Sequence, residues 1–101
     1  MKPGDIVLTG IPQDKQQKIG PVLVLKILPK YNDLPVCAVS SQLHQHIADF
    51  DIILENTDPA FASSGLKTAS VFRLANLAVL PKEDIIGIIG FLQKENCMKN
   101  Y

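Results

Sequence analysis

Apolar residues gather in short runs along the chain, and polar stretches containing Gly or Pro separate these runs. The runs cover residues 6–9, 21–28, 36–39, 50–54, 69–80 and 85–91. Most are rich in β-branched residues and too short for an amphipathic helix, so each predicts a strand. Gly87 and Gly90 disfavour a helix in the last run and predict a strand that bends.

The stretches between the runs predict loops, turns and short helices. We expect an exposed loop over 10–20, a turn over 29–34, a loop or helical turn over 43–49 and a turn or helix start over 81–84. Residues 58–62 predict one helical turn behind an Asp58 cap. Five or six strands with Gly and Pro punctuation predict a small β-barrel or sandwich. The chain of 101 residues predicts a single domain over 1–101, with its core at about 2–92 and a short tail over 93–101.

Composition narrows the class of protein. Ten Lys and Arg residues balance ten Asp and Glu residues, which argues mildly against a dedicated nucleic-acid coat protein and permits self-association. No signal peptide or membrane-spanning run is present, so we expect a cytoplasmic protein with no membrane partner. Cys37 lies in an apolar run and is predicted in the core, whereas Cys97 lies in a polar tail. Neither a disulfide scaffold nor zinc-ligand spacing is indicated.

Arg73 is the only arginine, and it lies in an otherwise apolar strand. A guanidinium there is costly to bury without a partner, so it must meet solvent, a carboxylate or an anionic ligand. A structural ion pair with one of the acids is one interpretation. A phosphate contact is the other, because the planar guanidinium matches phosphate geometry.

Polar residues that follow the third predicted strand are further candidates. Ser40, Ser41 and Gln42 close this strand, although a Ser-Ser pair more often forms a turn, and no nucleophile-elbow motif surrounds it. His44 and His46 are the only histidines, and they read first as exposed loop residues. Histidine can also act as a general base near neutral pH. A metal site would need a third ligand, and none is indicated.

Two charged segments have opposite consequences for a polyanion. The acidic segment has no intervening Lys or Arg, reads as solvated and would repel RNA; its members are Asp49, Asp51, Glu55 and Asp58. Lys15 and Lys18 lie in the predicted 10–20 loop, which is ordinary polar sequence but is able to close over a phosphate.

The order of the segments resembles the MazF/PemK toxin family, from Lys2 to about Phe91. Five pieces carry the resemblance: the Lys-Pro-Gly-Asp-Ile-Val-Leu start at 2–8, Pro-Val-Leu-Val-Leu at 21–25, Ala-Val-Ser-Ser-Gln at 38–42, Gly-Leu-Lys-Thr-Ala-Ser-Val-Phe-Arg at 65–73 and Ile-Ile-Gly-Phe-Leu at 88–92. Each piece alone is a weak signal, but all five occur in the family's order.

The resemblance implies a mainly β fold, a small SH3-like barrel of the MazF/PemK/CcdB type with one or two short helices. It implies a homodimer that is the toxin of a type II toxin-antitoxin pair, inhibited by a cognate antitoxin. The implied activity is metal-independent, sequence-specific cleavage of single-stranded RNA without a cofactor. The implied catalytic residues are Arg73, Ser41 and Ser40, and the implied substrate-binding residues are Lys18, Lys15, Gln42 and His44.

The sequence departs from the family pattern at two positions of chemical importance. The family usually has Arg before the strand proline, where this chain has Gly20, and some members have an acid where this chain has Ala75. Lys18 is a poorer bidentate clamp than Arg, and a general base would come from His44 or His46. A catalytically impaired homologue that dimerises and binds antitoxin or nucleic acid is therefore the alternative. A third reading is an unrelated SH3-like peptide-binding module, although the chain has few aromatic residues to line a groove.

Overall fold

The computed structural model describes residues 1–13, 16–28, 33–45, 47 and 51–92. Its strands are β1 Asp5–Gln13, β2 Gln16–Val24, β3 Asp33–Ser40, β4 Ile52–Leu54, β5 Ser70–Pro81 and β6 Ile85–Phe91. Its helical elements are one α-helix, α1 Phe61–Ser64, and two 3-10 turns, Leu43–Gln45 and Lys82–Asp84. The predicted mainly β fold with short helices is confirmed.

All strand pairs within the described residues are antiparallel and form one sheet in the order β4-β5-β3-β2-β1-β6. β1 and β2 form a hairpin, and β2 pairs with β3. The chain then crosses the sheet, so β5 pairs with β3 on one side and with the short β4 on the other. This crossover brings the end of β3 beside the start of β5.

Residues that alternate along the central strands divide between two buried clusters. One cluster includes Ile6, Leu23, Cys37, Val39, Leu54 and Phe72. The other consists of Val7, Val22, Val24, Leu34 and Val36. Because successive strand residues point to opposite faces, both faces of the central strands are buried. This explains the nearly continuous apolar runs, and it confirms that Cys37 is a core residue, with no exposed surface.

β5 contains an irregularity directly after Arg73. Arg73 pairs with Ala38 of β3, and Leu77 pairs with Cys37, which directly precedes Ala38 on β3. Residues 74–76 therefore have no counterpart on β3 and form an enlarged bulge. Bulges bend a strand and redirect the neighbouring side chains, and Arg73 is the residue directly before this one.

The prediction of an exposed loop over 10–20 is wrong. β1 continues to Gln13 and β2 begins at Gln16, so the segment forms the outer part of a long hairpin. The polar sequence misled the interpretation because Lys18 and Ile19 are both exposed there, which removes the alternation of apolar and polar residues. The two arms satisfy their backbone groups by pairing with each other.

Two further boundaries differ from expectation. The strand predicted over 21–28 ends at Val24, although the following segment still bonds to β3 through Leu25 N–H to the Pro35 carbonyl at 2.9 Å. The helix predicted over 58–62 begins at Phe61 instead. Asp58 caps the turn before it, because its Oδ1 accepts the Ala60 N–H at 2.8 Å.

Some expectations lie outside the described residues, namely the tip of the 29–34 turn, the start of the fourth strand at Phe50 and the tail over 93–101. The 3-10 turn Lys82–Asp84 confirms the turn or helix start predicted over 81–84. Within the described part of the chain, no helix is long and apolar enough to cross a membrane.

α1 lies directly against β6 through two glycines. Gly65 ends the helix with a φ of 74°, and a Cβ there would lie 2.1 Å from the Ile89 carbonyl oxygen. A Cβ on Gly90 would lie 2.4 Å from backbone atoms of Ser63 and Ser64. Any side chain at either glycine would push the helix away from the strand.

This contact predicts different effects for two glycines of the same strand. Gly90→Ala should lower the free energy of unfolding by about 2 kcal/mol or more, because backbone atoms cannot give way as flexible side chains do. Gly87→Ala is the matched control, since a Cβ there meets nothing within 4 Å. Urea denaturation of both variants provides the measurement. Equal losses in the two variants would contradict the packing described here.

Candidate functional site

The register of three strands places the candidate residues at one end of the sheet. Val22 pairs with Ala38, and Ala38 pairs with Arg73, so these three residues form a row across β2, β3 and β5. Directly paired residues point to the same face. Ser40 lies two residues beyond Ala38, about 7 Å further along β3 on the same face. The β2–β3 pairing ends at Val22 and Ala38, and Gly20 lies two residues before Val22 on β2.

Arg73 is half-buried, and its Nε is buried without a hydrogen-bond partner. Leaving such a donor unsatisfied costs on the order of 1–3 kcal/mol. No acceptor among the described residues reaches Nε, so the interpretation of a structural ion pair gains no support from this atom. An anion that reached Nε would remove the penalty, and a phosphate oxygen is a suitable acceptor.

The residues at the end of β3 form the expected turn. Ser40 is half-buried, and its Oγ accepts the Gln42 N–H at 3.1 Å. The Ser40 hydroxyl can still donate its own proton, because only its acceptor side is used here. Ser41 and Gln42 are exposed at the strand end. The turn therefore leaves both side chains open to a ligand.

The 3-10 turn Leu43–Gln45 continues directly from this strand end and lies against β5. This element agrees with the loop or helical turn expected over 43–49. His44 lies on it with an exposed side chain. His46 and Asp49 fall outside the described residues. In the described part of the chain, no three His, Cys, Asp or Glu side chains come close enough together to hold a metal ion.

The sequence predicts Lys15 and Lys18 on an exposed loop over 10–20, and for Lys18 this prediction is wrong. Lys18 lies on β2, opposite Ile11 of β1, with an exposed side chain. The Lys18 backbone is therefore held in the strand pairing of β1 with β2, and the exposed side chain is not part of that pairing. Lys15 lies outside the described residues.

Gly20 occupies the position where the family pattern has Arg. It lies on β2 opposite Thr9, which is buried and whose Oγ1 donates to the Asp84 carbonyl at 3.0 Å. Glycine brings no charge to this end of the sheet. In the row of Val22, Ala38 and Arg73, the positive charge belongs to Arg73. The lysine on β2 is Lys18, two residues before Gly20.

Asp51 is the residue whose role the sequence interpretation missed. The acidic segment predicts a solvated carboxylate at this position, but Asp51 is only 8% exposed. Its Oδ2 accepts the Ile47 N–H at 3.1 Å, and its Oδ1 accepts the Ala75 N–H at 3.2 Å. Both partners are backbone groups, and Ala75 is distant in sequence, so no local pattern around Asp51 signals the contact to β5. Glu55, by contrast, is exposed as expected.

Comparison with known proteins agrees with this architecture. Residues 2–99 match the sequence profile of a family described as PemK-like, MazF-like toxin of type II toxin-antitoxin system. A comparison with curated protein sequences gave no match. The family match spans every described strand, and the mainly β sheet fits the small barrel-like fold that the resemblance implied. The chain therefore belongs to the PemK-like, MazF-like toxin family of type II toxin-antitoxin systems.

Proposed function

We propose that the protein is a toxin that cleaves single-stranded RNA at specific sequences without a metal ion. The observation that carries this proposal is the buried Arg73 Nε, which has no hydrogen-bond partner among the described residues. Arg73 pairs with Ala38, two residues before Ser40 at the end of β3. Cleavage through the RNA 2′-hydroxyl requires a base, an acid for the leaving 5′-oxygen, and positive charge around the pentacoordinate phosphate. Arg73 supplies the charge.

The neighbouring side chains supply the remaining polar contacts. Ser40 and Ser41 are hydroxyl donors at the strand end, and Gln42 follows them with an exposed amide. His44 is the described candidate for the general base, because its imidazole is exposed on a turn that lies against β5. Lys18, with its exposed side chain on β2, and Lys15 attract the RNA backbone through their positive charge.

The same charge accounts for control by an antitoxin. A type II toxin is held inactive by a cognate antitoxin protein, and an acidic segment of that partner would compete with RNA for Arg73 and the lysines. We assign the encounter of toxin, antitoxin and mRNA to the cytoplasm. Inhibition then follows from simple competition for one anion-binding surface.

The active form is proposed to be a homodimer. β4 pairs with residues 70–72 of β5 only, so the edge of β5 beyond that point has no partner strand in the described part of the chain. Leu77 and Val79 on this edge are 61% and 59% exposed. An open apolar edge favours pairing with another chain, and the zero net charge of the protein adds no repulsion between copies.

A specific observation favours the second candidate function, binding without cleavage. Gly20 brings no charge to the part of β2 that precedes Val22, and Ala75 has no carboxylate in its side chain. A chain that lacks these groups would still bind RNA or antitoxin through Arg73. In this case the protein would be an impaired homologue of an active toxin.

Replacing Arg73 tests the first proposal. In EDTA, Arg73→Ala should lower the rate of cleavage of a long labelled single-stranded RNA by about 100-fold or more, as loss of a transition-state donor does. Arg73→Lys should recover only part of the rate, because it keeps the charge but loses the planar fork. Lys26→Ala, an exposed lysine just after β2, is the control. Cleavage that survives in Arg73→Ala would remove Arg73 from the site.

Restoring the missing arginine separates the two candidate functions. Gly20→Arg should raise the cleavage rate by about 10-fold or more, because it places a second guanidinium on β2, two residues before Val22. Wild-type silence together with cutting by Gly20→Arg would identify an impaired toxin. Silence of both proteins, with RNA still bound, would establish a binding-only homologue.

The proposed homodimer predicts a particle of twice the mass of one chain in sedimentation equilibrium. Leu77→Glu should raise the dissociation constant by about 10-fold or more, because it places a charge in an apolar contact. Thr57→Glu makes the same addition of charge at an exposed loop position and should leave the constant unchanged. A wild-type protein that stays monomeric would contradict the proposal.

A further inference from the structure

The Asp51 carboxylate joins two segments that border the candidate site. Oδ2 accepts the N–H of Ile47, four residues earlier, and Oδ1 accepts the N–H of Ala75 on β5. The Asp51 N–H also donates to the Ile47 carbonyl at 2.9 Å. We call the two side-chain hydrogen bonds, to Ile47 and to Ala75, the Asp51 clasp.

The clasp holds the part of β5 that the sheet leaves without a partner. Ala75 is the middle residue of the 74–76 bulge, which has no counterpart on β3. Bulge residues are left out of the strand ladder, so their backbone groups need other partners. An ionised carboxylate is a strong acceptor for such an N–H. Asp51 therefore satisfies one backbone donor of the bulge.

Both ends of the clasp lie close in sequence to proposed functional residues. Ala75 is two residues after Arg73, and Ile47 is three residues after His44. The carboxylate thus joins the backbone beside the proposed phosphate-binding residue to the backbone that follows the proposed base. The 3-10 turn that carries His44 also lies against β5, so the two segments already share a surface.

We propose that Asp51 is a positioning residue for RNA cleavage: its clasp fixes the direction of Arg73 relative to His44. This inference rests on the ribonuclease function proposed above. Asp51 itself is not assigned as the base, because it is 8% exposed and each carboxylate oxygen already accepts a backbone N–H. Its effect on the reaction passes through the two segments that it joins.

The test compares Asp51→Asn with Asp58→Asn. Each substitution removes one negative charge from a carboxylate that accepts a backbone N–H. Asp58 caps the turn before α1, through Ala60 N–H at 2.8 Å, and is the matched control. Amide hydrogen exchange is followed at Ile47 and Ala75. Single-turnover cleavage is measured in EDTA, and affinity is measured with a non-cleavable 2′-O-methyl RNA of the same sequence.

In Asp51→Asn, amide exchange should rise at Ile47, at Ala75 or at both, because an amide side chain offers one oxygen where the carboxylate offers two. The cleavage rate should fall by about 10- to 100-fold, as expected for misplaced catalytic groups. The affinity for 2′-O-methyl RNA should stay within about 3-fold, because positioning acts mainly on the chemical step. Asp58→Asn should leave both the cleavage rate and the affinity at wild-type values.

Other results would overturn the inference in distinguishable ways. Unchanged exchange at both amides, in a protein that cuts RNA, would show that the clasp does not hold the segments. Raised exchange with wild-type cleavage would show that the clasp has no catalytic effect. A loss of affinity as large as the loss of rate would make Asp51 a binding determinant. A wild-type protein that cuts no RNA would overturn the ribonuclease proposal itself, and with it the catalytic consequence, whatever the exchange data show.

Discussion

The pairing of β3 with β5 is the constraint on which the candidate site depends. It brings the serines at the end of β3 beside an arginine that lies far away in sequence. The register shift after Arg73 frees the next residues of β5 from the ladder, and Asp51 takes up one of their N–H groups. A change in that register would separate the hydroxyl groups from the guanidinium and remove the site.

Among the buried side-chain atoms of the described residues, this arrangement leaves one donor without a hydrogen-bond partner. The Arg73 Nε is buried and faces no acceptor in the described part of the chain. Such a donor destabilises the unliganded protein, and an anion that reaches it removes the penalty. Membership of the toxin family excludes the interpretation of an unrelated SH3-like peptide-binding module. RNA phosphate is the anion that we propose for this donor. We propose that Arg73 is the guanidinium that meets this anion, since Gly20 brings no charge to β2.

The sequence predicted more of the fold than of the site, for physical reasons. Alternating and continuous apolar runs identified the central strands, because burial of both faces leaves a clear pattern at positions such as Val22 and Leu23. The outer part of the β1–β2 hairpin was not predicted, because Lys18 and Ile19 are both exposed there and show no alternation of apolar and polar residues. The role of Asp51 was not predicted because its partners are backbone groups, and one of them lies on β5. Arg73 was singled out because an arginine in an apolar strand needs a partner for its charge, and its contact with phosphate stays a prediction.

The measurement that tests the central claim most directly is the NMR signal of the Arg73 Nε–H group. Arg73 is the only arginine, so its side chain gives a single assignable peak. The protein is titrated with non-cleavable 2′-O-methyl single-stranded RNA. If Nε donates to a phosphate oxygen, the peak should shift and its exchange with water should slow as the RNA saturates. A peak that keeps both its position and its exchange rate while RNA binds elsewhere would contradict the assignment of Arg73 as the phosphate contact.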